Sequence, residues 1–280
     1  MNSNKIFKRI FFVLIGIFAL IGVLFSGVFV AMQFGLLNVR GAVDERNAFF
    51  GKKPDAIPCL DMNRPECVWN KTPEWETVKG GLLKDTEIIA RVSSETGVSK
   101  RMIATVVIPE QIRFFTSERE VFKSYFEPLK ILGSLSQFSL GVSGIKQETA
   151  NMIELNAQDS SSPFYPGSAM QALIAYPAGV EHDVELYRRL TDPKDHYYSY
   201  LYTALYIKEI QAQWKRAGYD ITQNPDVVGT LFNIGFQKSN PNPSPVTGGA
   251  AIQTGGKTYL FGELGALFYY SDELVDVFPK

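Results

Sequence analysis

The segment Met102-Ile-Ala-Thr-Val-Val-Ile-Pro-Glu110 predicts an apolar helix, the type of element that forms a core, and this helix ends in a carboxyl group. A carboxyl group in apolar surroundings can keep its proton, since its charged form is poorly solvated there. Glu110 is therefore the candidate acid of this chain. The alternative is a helical glutamate that pairs with Arg113, three residues further on.

Helical signals on both sides of this segment predict a mainly α body. Upstream, a run that begins at Asp85 ends at Gly97, and Ser99 can cap the helix that carries Glu110. Further helices are predicted near 147–156, 168–190 with an interruption at Pro177, 195–217, and 225–234 after an Asn-Pro start. Beyond residue 238, Pro and Gly become frequent and predict loops with a short hairpin.

The N-terminal residues predict a membrane anchor. Residues 10–32 contain no charged side chain, and as a helix they would extend about 34 Å, which is enough to cross a bilayer. A cleaved signal peptide is the alternative, although its apolar region is usually shorter. Basic residues precede the run, whereas the charges after it balance, so the N-terminus is expected in the cytoplasm.

Cys59 and Cys67 are the two cysteines of the chain, and they lie close together in a loop-like sequence. In an exported compartment they are expected to form a disulfide. Free thiols in a cytosolic loop are the alternative. A zinc site is disfavoured, because no histidine lies near the two cysteines.

The net charge of −1 disfavours nucleic acid as a partner.

The composition divides the chain into successive regions. They are a cytoplasmic N-terminus (1–9), a transmembrane helix (10–32), a lead-in with the cysteine pair (33–80), a helical domain (81–240) and a C-terminal extension rich in Gly, Pro and aromatic residues (241–280).

Two further segments follow Glu110 in the chain. The first is Ser139-Leu-Gly-Val-Ser-Gly-Ile-Lys-Gln-Glu-Thr-Ala150, and the second is Asn224-Pro-Asp-Val-Val-Gly-Thr-Leu-Phe-Asn-Ile-Gly235. Together with the apolar helix, they resemble the lytic transglycosylase group of the lysozyme-like superfamily, in this order. The resemblance covers roughly residues 80–240. It implies a lysozyme-like (goose-type) helical domain.

The resemblance also implies roles for individual residues. Glu110 takes the place of the catalytic glutamate, although Pro109 beside it is expected to bend the helix. Gly144 stands where the family usually has Gln, a residue that faces the sugar, and Gln147 is the substitute in another register. Phe232 replaces a Tyr of the family. The implied substrate contacts are Ser139, Gly141, Gly144, Ile145, Gln147, Phe232 and Asn233.

By resemblance, the expected activity is cleavage of peptidoglycan glycan strands by one glutamate that acts as acid and then as base, without a metal or other cofactor. The expected location is the bacterial inner membrane, with the C-terminal domain in the periplasm and an envelope-spanning complex as a partner. Two alternatives remain open. One is a membrane-anchored protein that binds peptidoglycan without cleaving it, and the other is a muramidase that hydrolyses the same bond.

Overall fold

The computed structural model describes residues 11–14, 16, 18–23, 26–27, 68–116, 139–140 and 142–280. The chain divides into two compact units, residues 1–42 and 43–280. In the first unit, the described residues are helical. Among all described residues, no helix has both the length and the apolar content that crossing a bilayer requires. Several residues of the predicted span over 10–32, and both Cys59 and Cys67, lie outside the described part.

The second unit is mainly helical, and its elements are numbered here in chain order. After a 3₁₀ turn over Trp69–Lys71, the helices among the described residues are α1 (Pro73–Lys84), α2 (Thr86–Thr96), α3 (Lys100–Thr116), α4 (Gln147–Gln158), α5 (Ser168–Leu173), α6 (His182–Thr191), α7 (Tyr197–Arg216), α8 (Pro225–Ile234) and α9 (Phe261–Tyr270). Two antiparallel hairpins pair β1 (Ser139–Leu140) with β2 (Ile145–Lys146), and β3 (Ala251–Thr254) with β4 (Lys257–Leu260).

Local signals explain where several helices begin and end. Gly97 closes α2 in the left-handed conformation, at φ 73°, and the Ser99 hydroxyl accepts a hydrogen bond from the backbone N–H of Met102 at 3.1 Å. Pro225 occupies the first turn of α8, where its missing N–H costs nothing. These boundaries agree with the sequence-based expectations.

The lead-in region differs from its expectation over its last residues. Residues 73–80 belong to α1, which begins after Thr72, whose hydroxyl accepts a hydrogen bond from the backbone N–H of Trp75 at 3.2 Å. The indole rings of Trp69 and Trp75 are buried and meet edge to face, with centroids 4.9 Å apart. Residues from Trp69 on therefore already belong to the folded body, ahead of the predicted domain start at residue 81.

The C-terminal extension also differs from the expected loops. The hairpin is present as β3 and β4, but residues 261–270 form helix α9, and all of them except Tyr270 are buried. α9 contacts both α8 and α3. A helix that is apolar on every side is buried on every side, so α9 is part of the core. Its sequence lacks the polar face that would have indicated a helix.

Candidate functional site

Glu110 lies on α3, the helix whose residues 101–110 are all buried. The residue as a whole is almost inaccessible, at 3% exposure. One guanidinium nitrogen of Arg113, Nη2, lies 2.6 Å from each of the two carboxylate oxygens. The pairing with Arg113 that the sequence left as an alternative is therefore present. α3 continues through Pro109 as far as Thr116.

Gly144 brings the segment that follows β1 directly against Glu110. It adopts φ 63°, a backbone conformation that favours glycine. A Cβ atom at this position would lie 2.6 Å from Cδ and 2.8 Å from Cγ of Glu110, closer than van der Waals contact allows. A side chain at this position would force Glu110 to move. Gly144 is therefore part of the wall around the carboxyl group.

The segment is held on two sides. Gln111, next to Glu110, donates a hydrogen bond from its side-chain amide to the carbonyl oxygen of Val142. On the other side, the hydroxyl of Ser143 donates to the carbonyl oxygen of Ser199 on α7, at 3.0 Å. The sequence does not predict these roles of Gln111 and Ser143, because neither hydrogen bond follows from a spacing along the chain.

The other residues predicted in this segment have different surroundings. Ile145 is buried in the core, and its backbone pairs with Leu140 across the β1–β2 hairpin. Gln147 begins α4, and its amide donates a hydrogen bond to the carbonyl oxygen of Asp183 at 3.5 Å. Ser139 pairs with Lys146 through the backbone. The Ser139 side chain and Gly141 lie outside the described residues.

The residues predicted on α8 take part in packing. Phe232 is buried, and its ring centroid lies 5.3 Å from that of Tyr206 and 6.4 Å from that of Phe261. The side-chain oxygen of Asn233 accepts a hydrogen bond from the backbone N–H of Ala250 at 2.7 Å. This bond anchors the loop before β3. The contact of Asn233 with an acetamido sugar stays a prediction.

A second buried carboxyl group, Glu154 on α4, is the centre of a polar cluster that the sequence did not indicate. The hydroxyl groups of Tyr176 and Tyr202 both donate hydrogen bonds to its Oε1, the former at 2.5 Å. Nε2 of His182 lies 2.7 Å from its Oε2. Burial raises the pKa of both tyrosines, and the hydrogen bond to Glu154 raises the pKa of His182. These residues are too far apart in sequence to form a motif.

A third carboxyl group, Glu209 on α7, is fully buried. The Asn156 amide donates a hydrogen bond to its Oε2 at 3.1 Å, whereas Oε1 has no hydrogen-bond partner among the described residues. Burial raises the pKa of Glu209 from 4.5 to about 9. The folded protein therefore holds a proton at Glu209 at neutral pH, whereas the unfolded chain does not.

This difference predicts a pH-dependent stability. Between these two pKa values the folded state binds more protons, so the free energy of unfolding falls as the pH rises, by at most about 1.4 kcal/mol per pH unit from this group. We expect Glu209→Gln to gain stability relative to the wild type from about pH 5 to about pH 8. Urea unfolding at both pH values measures this. Glu87→Gln, an exposed carboxylate on α2, is the control. A constant difference between Glu209→Gln and the wild type would contradict the prediction.

Within the described residues, no group of three or more His, Cys, Asp or Glu side chains could hold a metal ion. Comparisons with protein-family models, with curated proteins and with solved structures gave no match to this chain. The residues around Glu110 are therefore the candidate functional site.

Proposed function

We propose that this chain is a peptidoglycan lytic transglycosylase that cleaves the bond between N-acetylmuramic acid and N-acetylglucosamine. The observation that carries the proposal is the close contact between the Glu110 carboxyl group and the backbone of Gly144. It joins two of the three segments that resemble the family motifs, although these two are distant in sequence. The mainly helical fold is compatible with this assignment.

In the proposed reaction Glu110 acts twice. Its carboxyl group first gives a proton to the bridging oxygen, and the bond between C1 of the muramic residue and that oxygen breaks. The carboxylate then accepts the proton of the C6 hydroxyl of the same muramic residue, and O6 bonds to C1. The product is a 1,6-anhydro ring, the glucosamine leaves with a free 4-hydroxyl, and Glu110 ends protonated. No water is consumed.

The neighbours of Glu110 have separate tasks in this scheme. Gly144 leaves room for the carboxyl group at the turn between β1 and β2. Arg113 stabilises the carboxylate that exists between the two proton transfers, since its guanidinium nitrogen already contacts both oxygens. The first proton transfer requires this contact to open, because one oxygen of Glu110 has to face the bridging oxygen of the glycan instead of the guanidinium.

Cleavage of purified sacculi tests the proposal. The full-length chain is incubated with sacculi, and the released muropeptides are analysed by mass spectrometry. We expect anhydro ends from the wild type and a loss of about 10²–10⁴-fold in rate for Glu110→Gln, the range for removal of a general acid and base. Glu87→Gln removes an exposed carboxylate from α2 and should retain the wild-type rate.

Other products would point to other functions. Reducing ends in place of anhydro ends would indicate lysozyme-like hydrolysis. The second candidate function is peptidoglycan binding without cleavage, as a membrane-anchored scaffold protein, and the two-oxygen contact between Arg113 and Glu110 favours it. Folded wild-type protein that binds sacculi and releases nothing would support that candidate and overturn the enzymatic one.

The location of the protein belongs to the same proposal. Residues 10–32 would anchor the chain in the bacterial inner membrane with the N-terminus in the cytoplasm. The helical body would then face the periplasm, next to its glycan substrate. An envelope-spanning complex that needs a local opening of the wall is the proposed partner.

A further inference from the structure

The imidazole of His182 lies between two carboxyl groups at the start of α6. Its Nε2 lies 2.7 Å from Oε2 of Glu154 on α4, and its Nδ1 lies 2.9 Å from Oδ1 of Asp183. The side chain of Glu154 is buried, at 6% exposure, whereas those of His182 and Asp183 are 48% and 68% exposed. An imidazole that water can reach therefore connects the first turn of α6 to a buried carboxyl group on another helix.

The two contacts of His182 together require more protons than a neutral imidazole has. An ionised carboxylate only accepts hydrogen bonds, and a neutral imidazole has one N–H. Both ring nitrogens face carboxylate oxygens, so both contacts are hydrogen bonds only when the ring carries two protons. A proton on Oε2 of Glu154 would lie between the same two atoms and leave the number of bound protons unchanged. The arrangement thus holds one proton more than a neutral histidine beside two carboxylates.

Two tyrosines fix the carboxyl group that His182 contacts. The hydroxyl groups of Tyr176 and Tyr202 donate to Oε1 of Glu154, which leaves Oε2 for the imidazole. The ring of Tyr176 also packs against the imidazole, with centroids 4.8 Å apart. The hydrogen bond to Glu154, followed by the one to Asp183, raises the pKa of His182. The geometry and the direction of this shift agree.

The other charged side chains around this cluster are already paired. Cζ of Arg189 lies 4.0 Å from the centroid of the Tyr176 ring, and its Nε lies 3.2 Å from Oε1 of Glu185. The carboxylate of Glu181 accepts hydrogen bonds from two backbone N–H groups in the first turn of α6. Because Glu185 compensates the charge of Arg189, neither pairing opposes a positive charge on His182.

We propose that His182 is a pH-sensitive clasp: the protonated imidazole fastens the first turn of α6 to Glu154 on α4, and loss of the proton loosens this attachment. Without that proton, one ring nitrogen turns a lone pair toward a carboxylate oxygen, which is repulsive. The clasp is independent of the reaction proposed for Glu110. It holds the helix that begins at Gln147, shortly after Gly144, and thus continues from the wall of the candidate site.

Protonation favours the closed clasp. In the closed form His182 binds its proton more tightly than a free histidine, whose pKa is about 6.5. Opening therefore releases a proton and becomes easier as the pH rises. From about pH 6.5 upward the opening constant increases by up to about tenfold per pH unit, until the closed form has itself lost the proton.

Hydrogen exchange of the full-length chain measures this opening. The backbone N–H of Glu185 donates to the carbonyl oxygen of Glu181 at 3.1 Å, so its protection reports on the first turn of α6. We expect the protection factor of this N–H, which is corrected for the intrinsic exchange rate, to fall by up to about tenfold per pH unit above about pH 6.5. A constant protection factor over this range would overturn the clasp.

Glu154→Gln separates the clasp from other causes of pH dependence. The tyrosine hydroxyls can still donate to the side-chain oxygen, and the new amide can donate to a neutral Nε2, so no additional proton is needed. We expect the fall in Glu185 protection to disappear. Asp183→Asn should reduce it only in part, because Asp183 is exposed. Glu148→Gln, an exposed carboxylate on α4, is the matched control and should behave as the wild type. A parallel fall in the wild type, Glu154→Gln and Asp183→Asn would overturn the inference.

NMR titration of the histidine rings gives a second reading. The chain contains two histidines, and His196→Gln assigns their signals. His196 lies 2.7 Å from Oδ2 of Asp85 through Nδ1, a single contact that a neutral ring can keep. We expect Glu185 protection to fall along the titration curve of His182, and this curve to lie at lower pH in Glu154→Gln. A fall that follows His196 instead, or that persists in His182→Gln, would show that His182 is not the clasp.

Discussion

Arg101→Met is expected to lower the free energy of unfolding by at least about 3 kcal/mol, because it leaves several buried carbonyl groups without donors. Arg101 is fully buried on α3. Its guanidinium donates hydrogen bonds to backbone carbonyl oxygens of the C-terminal segment: those of Phe268 (2.7 Å), Tyr269 (2.6 Å), Ser271 (2.5 Å), Glu273 (3.2 Å) and Phe278 (2.7 Å). Methionine keeps an unbranched apolar stem and has no donor.

Urea unfolding followed by circular dichroism measures this loss. Arg188→Met is the control, since it removes an exposed arginine of α6 that pairs with carboxylates, and we expect a change below about 1 kcal/mol. If both variants lost the same small amount of stability, the carbonyl groups around Arg101 would have found other donors, and the interpretation of Arg101 as the anchor of the C-terminal segment would be wrong.

Gly262→Ala is the second change with a large expected effect, a loss of about 2–3 kcal/mol. A Cβ atom at Gly262 on α9 would overlap the carbonyl oxygen of Asp226 and the hydroxyl of Thr230, and it would lie 3.1 Å from the backbone nitrogen of Thr230. That hydroxyl is fixed, since it donates to the Asp226 carbonyl at 2.7 Å and accepts from the Gly248 N–H at 2.8 Å. Neither neighbour can move without breaking these bonds.

Gly81→Ala on α1 should have the opposite sign. Gly81 lies inside a helix, is exposed, and has no atom within 4 Å of an added Cβ. There the alanine only reduces the freedom of the unfolded chain, so we expect a gain of about 0.5–1 kcal/mol. Thermal unfolding of both variants in parallel compares them. A stabilised Gly262→Ala would mean that α8 and α9 can separate at little cost.

Both destabilising changes affect how the C-terminal segment, including α9, packs in the core next to the helix of the candidate site. α9 lies against α3, where a Cβ atom at Gly265 would come within 2.6 Å of the Thr105 carbonyl oxygen. Arg101 connects the same two helices one turn earlier in α3. Glu110 is near the end of α3, so the C-terminal segment determines how firmly the helix that carries the candidate acid is held.

Much of the helical architecture could be predicted from sequence because its signals are local. Gly97 and Ser99 mark the end of α2 and the start of α3 through their own backbone and hydroxyl chemistry, and Pro225 marks the start of α8. α9 could not be predicted in this way. Its apolar residues surround the helix, and the glycines that allow close contact, Gly262 and Gly265, are also typical of loops.

The candidate site shows the same division. Spacing along the chain was enough to predict that Glu110 ends an apolar run and that Arg113 is within reach on the same helix. The contact of Gly144 with the carboxyl group, and the hydrogen bonds of two tyrosines and a histidine to Glu154, follow only from the tertiary structure. Such contacts join residues that are distant in the chain, and they depend on how the elements pack, which no local pattern specifies.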